Sequence, residues 1–179
     1  AGCGYGGSCF PKDVRALAHT GREYGSPMRI IEAVEAVNER QKEIVVRKLA
    51  AELGDLRGRT VALWGLAFKP ETDDMREAPA LVAIDRLTCA GAVVRVYDPA
   101  AMDECRRRVG DAVVYCSDMY EAVVDADALV LLTEWKQFRL PSWTVIRKVM
   151  ANPLVIDGRN IYDKAELVAE GFTYKAIGK

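Results

Sequence analysis

The sequence predicts an α/β chain in which a long N-terminal linker or dimerisation helix leads into a parallel sheet with helices on both faces. Three observations carry this. Short apolar runs that read as buried strands (TVALWGL at 60–66, VVRVY at 93–97, ALVLL at 128–132) alternate with stretches of helical spacing. Such strand-helix alternation specifies parallel pairing with helices covering the sheet. Ahead of it, residues 28–53 carry apolar side chains at helical spacing with no Gly or Pro between them.

The elements follow in order. Residues 2–13 hold four glycines and one proline, which predicts a loop whose backbone comes close to another group. Residues 14–24 turn helical, with Val14, Leu17 and Ala18 on one face. Gly25, Ser26 and Pro27 interrupt, and Ser26 with Pro27 suits the cap and first position of a new helix. Over 28–53, Ile30, Ile31, Val34, Val37, Ile44, Val45, Leu49 and Leu53 recur at helical spacing, and Gly54 ends the run. A helix of that length spans ~39 Å. It has more apolar surface than one small domain hides, so we expect it to pack on another domain or a second copy of the chain. A kinked helix buried within one domain is the plainer alternative. The domain boundary is expected between 53 and 59, separating 1–57 from 58–179.

Beyond it, the spacing predicts strands at 60–66, 93–97, 113–115, 128–132 and 154–157, with an edge strand at 172–177. Helices are expected at 78–90, 101–109, 119–124, 143–150 and 165–170. Gly91 marks the end of the first of these helices.

Composition excludes several classes. Of 179 residues, 25 are Lys or Arg and 26 are Asp or Glu, for a net charge of -1. There is no basic surplus for nucleic acid or an anionic membrane. No apolar run reaches the ~20 residues of a transmembrane helix. The N-terminus lacks the basic and apolar regions of a signal peptide. It opens inside a Gly-rich motif without Met, which we read as a fragment of a longer protein. The five cysteines include no CxxC pair, so neither a zinc site nor a disulfide framework is expected. Free thiols in a reducing cytoplasm are the default, and the single His19 cannot support a His-rich metal site.

Ligands of parallel sheets bind at the carboxyl ends of the strands, and three such ends are rich here. After 60–66 comes GLAFKPETDDMR, with no GxGxxG; its Lys69 and Arg76 suit phosphate, although Glu71, Asp73 and Asp74 also fit a solvated charged loop or a cap for the next helix. Asp98-Pro99 after the second strand suits a ribose hydroxyl or a plain turn. Asp157-Gly158-Arg159-Asn160 adds a guanidinium to the rim. The N-terminal loop GYGGSCFPKD places Cys9 before a helix with Lys12 beside it, an arrangement expected to favour the thiolate. A small Cys buried in a tight turn is the structural alternative.

On these residues the chain resembles the UDP-glucose/GDP-mannose dehydrogenase family of nucleotide-sugar 6-dehydrogenases. GYGGSCFPKD is similar to the family's catalytic-cysteine segment. GLAFKP with TDDMR is similar to its GLAFKxxTDDxR segment, and YDP, TEW and DGRN recur in the family in this order. The resemblance spans the chain, and its wording is nearest the UDP-glucose branch. It implies a Rossmann-like UDP-sugar-binding domain at 58–179 and a homodimer through the helix around 28–53. It also implies an NAD-binding domain that this chain lacks.

The implied reaction oxidises C6 of UDP-glucose twice to UDP-glucuronate with two NAD, through a thiohemiacetal and a thioester on Cys9. Asp13 would serve the hydrolytic water, and Lys12 and Arg76 would contact NAD. Gly4, Tyr5, Gly6 and Gly7 would surround the sugar and uracil, and Phe68, Lys69 and Arg159 would contact the UDP-sugar. No metal is implied, and the isolated chain is expected to be inactive. UDP-N-acetylmannosamine or GDP-mannose are alternative substrates. A non-catalytic nucleotide-binding or dimerisation module is the alternative of another class, and an unrelated cysteine hydrolase is more distant.

Overall fold

The computed structural model describes residues 2–178. Within them the chain forms a six-stranded sheet, every neighbouring pair parallel, in the order β3-β2-β1-β4-β5-β6. The strands are β1 (Thr60–Trp64), β2 (Val93–Tyr97), β3 (Val114–Tyr115), β4 (Ala128–Leu131), β5 (Leu154–Asp157) and β6 (Thr173–Ala176). β6 lies at one edge, as the sequence predicts. This is the Rossmann-like architecture.

Alternation along the strands divides the core into two layers. Val61, Leu63, Val94, Val96, Val130 and Ile156 face one side. There they meet Val45 and Leu49 of α3 (Ile44–Leu53), Ile84 and Leu87 of α4 (Pro79–Cys89), and Cys105 of α5 (Met102–Val109). Ala62, Trp64, Leu129, Leu131 and Val155 face the other. They pack on Ala122 of α6 (Met119–Val123), Ile146 of α7 (Trp143–Val149) and Leu167 of α8 (Lys164–Ala169). Gly65, at φ +88°, is required where β1 ends: a Cβ there would stand 2.4 Å from the Thr133 Cβ.

The stretch from the N-terminus to α4 departs from expectation in four places. α1 (Phe10–Glu23) begins four residues early, because Pro11 is pre-set for a first turn. α2 (Arg29–Lys42) starts at Arg29 with Met28 at its N-cap; Ser26 and Pro27 stay outside, Ser26 donating its amide to the Gly21 carbonyl at 2.8 Å. The single helix expected over 28–53 is two, α2 and α3, broken at Glu43. No Gly or Pro marks the break. It arises because α3 lays Val45 and Leu49 into the sheet core, whereas α2 turns Asn38 and Lys42 onto the N-terminal loop. Arg86 of α4 holds the Glu43 carboxylate at the joint, at 2.7 Å. Finally, the acidic stretch after β1 does not cap α4, whose N-cap is Ala78. Asp74 instead pairs with Arg76.

Among the described residues no helix is long and apolar enough to cross a membrane.

Candidate active site

The chain leaves β1 for β2 in one direction and β4 for β5 in the other, so the direction of winding switches between β1 and β4. The loops following β1, β4 and β5 meet at that point, where an open parallel sheet takes its ligands. Asp98, at the end of β2, is 1% exposed. Its carboxylate accepts from the amides of Leu66, Ala67, Ala100 and Ala101 and from Trp135 Nε1. Both oxygens are saturated, so Asp98 organises the rim and does not meet a ribose. Asp157 likewise accepts from the amides of Arg159, Asn160, Ile161 and Tyr162 and from the Tyr174 hydroxyl.

Asp157 thereby sets the turn that carries Arg159. Its Nε donates to the Leu132 carbonyl at 2.6 Å and its Nη2 to the Phe68 carbonyl at 3.3 Å, with Glu134 3.2 Å from Nε. One guanidinium thus ties together the loops after β1, β4 and β5. Lys69 is exposed, its ammonium 5.3 Å from the centroid of the Phe68 ring.

The N-terminal loop lies across this rim. The Cys3 amide donates to the Gly158 carbonyl at 2.9 Å and the Gly7 amide to the Arg76 carbonyl at 2.7 Å. From the other side, α2 grips the loop: Asn38 accepts from the Tyr5 amide at 2.8 Å and donates to the Tyr5 carbonyl, and Gln41 donates to the Gly2 carbonyl. Gly4, Tyr5 and Arg159, with Ile30, Val34, Val37 and Asn38, border an open apolar cleft of about 550 Å³.

Cys9 sits at the N-cap position of α1, exposed, with Ser8 Oγ 3.6 Å from its sulfur. Asp13 is one turn further on, its amide donating to the Cys9 carbonyl, so the two side chains share a helix face. Lys12 pairs with Asp13 at 3.0 Å, and this bond holds the Lys12 ammonium above its ordinary pKa. Beside Ser8, a groove of about 290 Å³ is lined by Gly7, Lys12, Arg15, Arg76 and Arg108. Arg76 is exposed but not free, since Asp74 holds it in a two-pronged ion pair.

The structure therefore gathers Cys9, Asp13, Lys12 and Arg76 near one loop, and Phe68, Lys69 and Arg159 on the rim below it. Sequence reasoning missed Asn38, Gln41 and Lys42. Their one signal was the polar run at 38–43, which interrupts the apolar stripe of Ile30, Val34, Val37, Val45 and Leu49.

Comparison with known proteins decides the family. Residues 62–164 match the model of the UDP-glucose/GDP-mannose dehydrogenase family, UDP binding domain. The chain belongs to this family. Residues 1–40 match the family's central domain, so the Cys9 loop and the sheet carry separate family signatures. A UDP-glucose 6-dehydrogenase from Pseudomonas aeruginosa is 52% identical over all of this chain, which spans 41% of that protein's length. A UDP-glucose dehydrogenase structure from Pyrobaculum islandicum is 37% identical with a TM-score of 0.86, covering 98% of this chain and 38% of that one. A UDP-D-ManNAc dehydrogenase structure from Pyrococcus horikoshii is 28% identical with a TM-score of 0.81, covering 99% of this chain and 39% of that one. The family's substrates thus differ on a shared fold.

Proposed function

We propose that this chain supplies the UDP-sugar-binding rim and the catalytic thiol of an NAD-dependent UDP-glucose 6-dehydrogenase of the cytoplasm. The observation that carries the reading is the seating of the Cys9 loop across the carboxyl ends of the sheet, through Cys3 to Gly158 and Gly7 to Arg76. It brings an exposed thiol to the rim that in this family binds UDP. The nearness in identity of the P. aeruginosa relative favours UDP-glucose over other nucleotide sugars.

The residues suit the chemistry. Lys69 and Arg159 would hold the diphosphate of the substrate, with Phe68 beside them, and Gly4, Tyr5, Gly6 and Gly7 would line the sugar and uracil. Lys12 and Arg76, which share the groove beside Ser8 and are paired with Asp13 and Asp74, would turn to the phosphates of the dinucleotide. Bound NAD would accept hydride in both oxidations of C6. Between the two, the Cys9 sulfur bonds to C6 of the aldehyde while the carbonyl pair moves to oxygen, which takes a proton. Oxidation of that thiohemiacetal leaves a thioester. Water then adds to its carbonyl, giving its proton to Asp13, and the carbon–sulfur bond breaks to return Cys9 and release the uronate.

Dimerisation would cover α2, whose Ile30, Val34 and Val37 are 79%, 38% and 51% exposed. The division at 1–57 and 58–179 would then give the dimer contact to the first part and the nucleotide to the second, with α3 of the first part packed on the sheet of the second. An isolated chain is inactive in this reading. Calorimetric titration with UDP and with GDP tests the reading: binding of UDP with GDP silent is expected, and equal binding would point to a GDP-sugar or a plain phosphate site. In the whole enzyme, Cys9→Ser should abolish uronate formation from UDP-glucose. Uronate made at the wild-type rate would sink the role of the thiol.

A further inference from the structure

One carboxylate outside the reacting groups bridges α1 and α2, the two helices that flank the Cys9 loop. Glu77 follows Arg76 at the end of the loop after β1, and it adopts φ +55°, a left-handed conformation that non-glycine residues rarely take. That conformation has a structural consequence. A Cβ on Gly6 would stand 2.4 Å from the Glu77 carbonyl oxygen, so the loop before Cys9 lies directly on the Glu77 backbone. The next amide, Gly7, donates to the Arg76 carbonyl at 2.7 Å.

The side chain divides its two oxygens between two helices. Oε1 accepts from Arg15 Nη2 of α1 at 2.8 Å. Oε2 accepts from Lys42 Nζ of α2 at 3.3 Å. The Lys42 side chain is 3% exposed and also donates to Glu39 at 2.8 Å. A buried ammonium needs such partners, because leaving it unpaired is costly. The two cations hold the Glu77 carboxyl below the ordinary glutamate range. Arg15 lies on the same helix as Cys9, and Lys42 on the helix that grips Tyr5 through Asn38.

We infer that Glu77 is a positioning residue for Cys9: strained backbone and bridging carboxylate together set the angle at which α1 presents its thiol to the UDP-binding rim. The inference rests on the reading of Cys9 as the nucleophile of the second oxidation. The first oxidation, alcohol to aldehyde, needs no bond to sulfur. The second does. A group that positions only the thiol should therefore affect the second far more than the first.

The test uses the whole enzyme with UDP-glucose and NAD, measuring NADH and uronate together and capturing free aldehyde with a hydroxylamine trap. Wild type should give two NADH per uronate. Glu77→Gln, which keeps the shape and removes the charge, should raise that ratio, release trappable aldehyde and slow oxidation of added aldehyde on the order of tenfold, while the first oxidation stays near wild type. Lys42→Met, which keeps the buried stem and removes the arm on α2, should reproduce the pattern and serves if Glu77→Gln does not fold. An unchanged ratio in both variants, or equal slowing of both oxidations, would overturn the inference alone, provided wild type is active and Cys9→Ser makes no uronate. Uronate formation by Cys9→Ser, or no oxidation of UDP-glucose by wild type, would overturn the reading of Cys9 and the inference with it.

Discussion

The amide of Cys3 donates to the carbonyl of Gly158 at 2.9 Å, across 155 positions of sequence, and fixes the thiol-bearing loop to the turn after β5. Gly158 makes the contact possible by having no side chain. A Cβ there would stand 2.4 Å from the Leu131 carbonyl oxygen and 3.2 Å from the Cys3 sulfur. Gly158→Ala should therefore destabilise the fold by about 1–3 kcal/mol, the usual cost of overpacking a tight site. Urea unfolding would measure it, and a loss below the error of the fit would mean the loop is not seated as described.

Asp98 supports the same rim by accepting five hydrogen bonds in a site 1% exposed. In Asp98→Asn one oxygen becomes an amide that faces donors. We expect a loss of about 2–3 kcal/mol, the scale of hydrogen bonds to a buried charge. A variant of wild-type stability that merely binds UDP less well would instead assign Asp98 to the ligand.

Lys69 and Arg159 should separate in a paired measurement. Lys69 is exposed, so Lys69→Ala should leave Tm unchanged and weaken UDP about tenfold, the loss of roughly one charge-assisted bond. Arg159→Lys keeps the charge but cannot reach the Leu132 and Phe68 carbonyls together. It should lower Tm by ~4–8 °C even without ligand, from loss of about 2 kcal/mol. Equal melting of the two variants would show that Arg159 is not a strut.

The thiols provide a count. Cys9 and Cys89 are exposed, whereas Cys3, Cys105 and Cys116 are buried. At pH 8 an alkylating reagent should modify two sites quickly on the folded chain and five in denaturant, read by mass spectrometry. Burial raises the Cys105 thiol from 9.0 to about 11. Between those values the unfolded chain ionises this group first, so its contribution to stability is full below pH 9 and is lost as pH rises through 11. Cys105→Ala should flatten that alkaline loss. An unchanged alkaline profile would place its cause elsewhere.

The sequence alone determined the strand-helix order from β1 onward, to within a residue or two at most boundaries. Each strand there is a short apolar run and each helix has its own periodicity, so the pattern is local and needs no partner to be read. The family's motifs were equally legible, because they are contiguous. What the sequence could not determine was whatever depends on residues meeting across the fold. The break at Glu43 has no Gly or Pro to announce it, and follows from α3 docking on the sheet while α2 turns toward the loop. Asp98 reads as a ribose partner or a turn residue, and Arg159 as a guanidinium on the rim; the structure makes Asp98 a turn residue and bonds both side chains inward, because carbonyls and amides of distant loops converge on them. The grip of Asn38 on Tyr5, and of Glu77 on Arg15 and Lys42, joins segments 33 to 62 residues apart. Buried polar groups must find partners, and only the tertiary structure decides which ones they find.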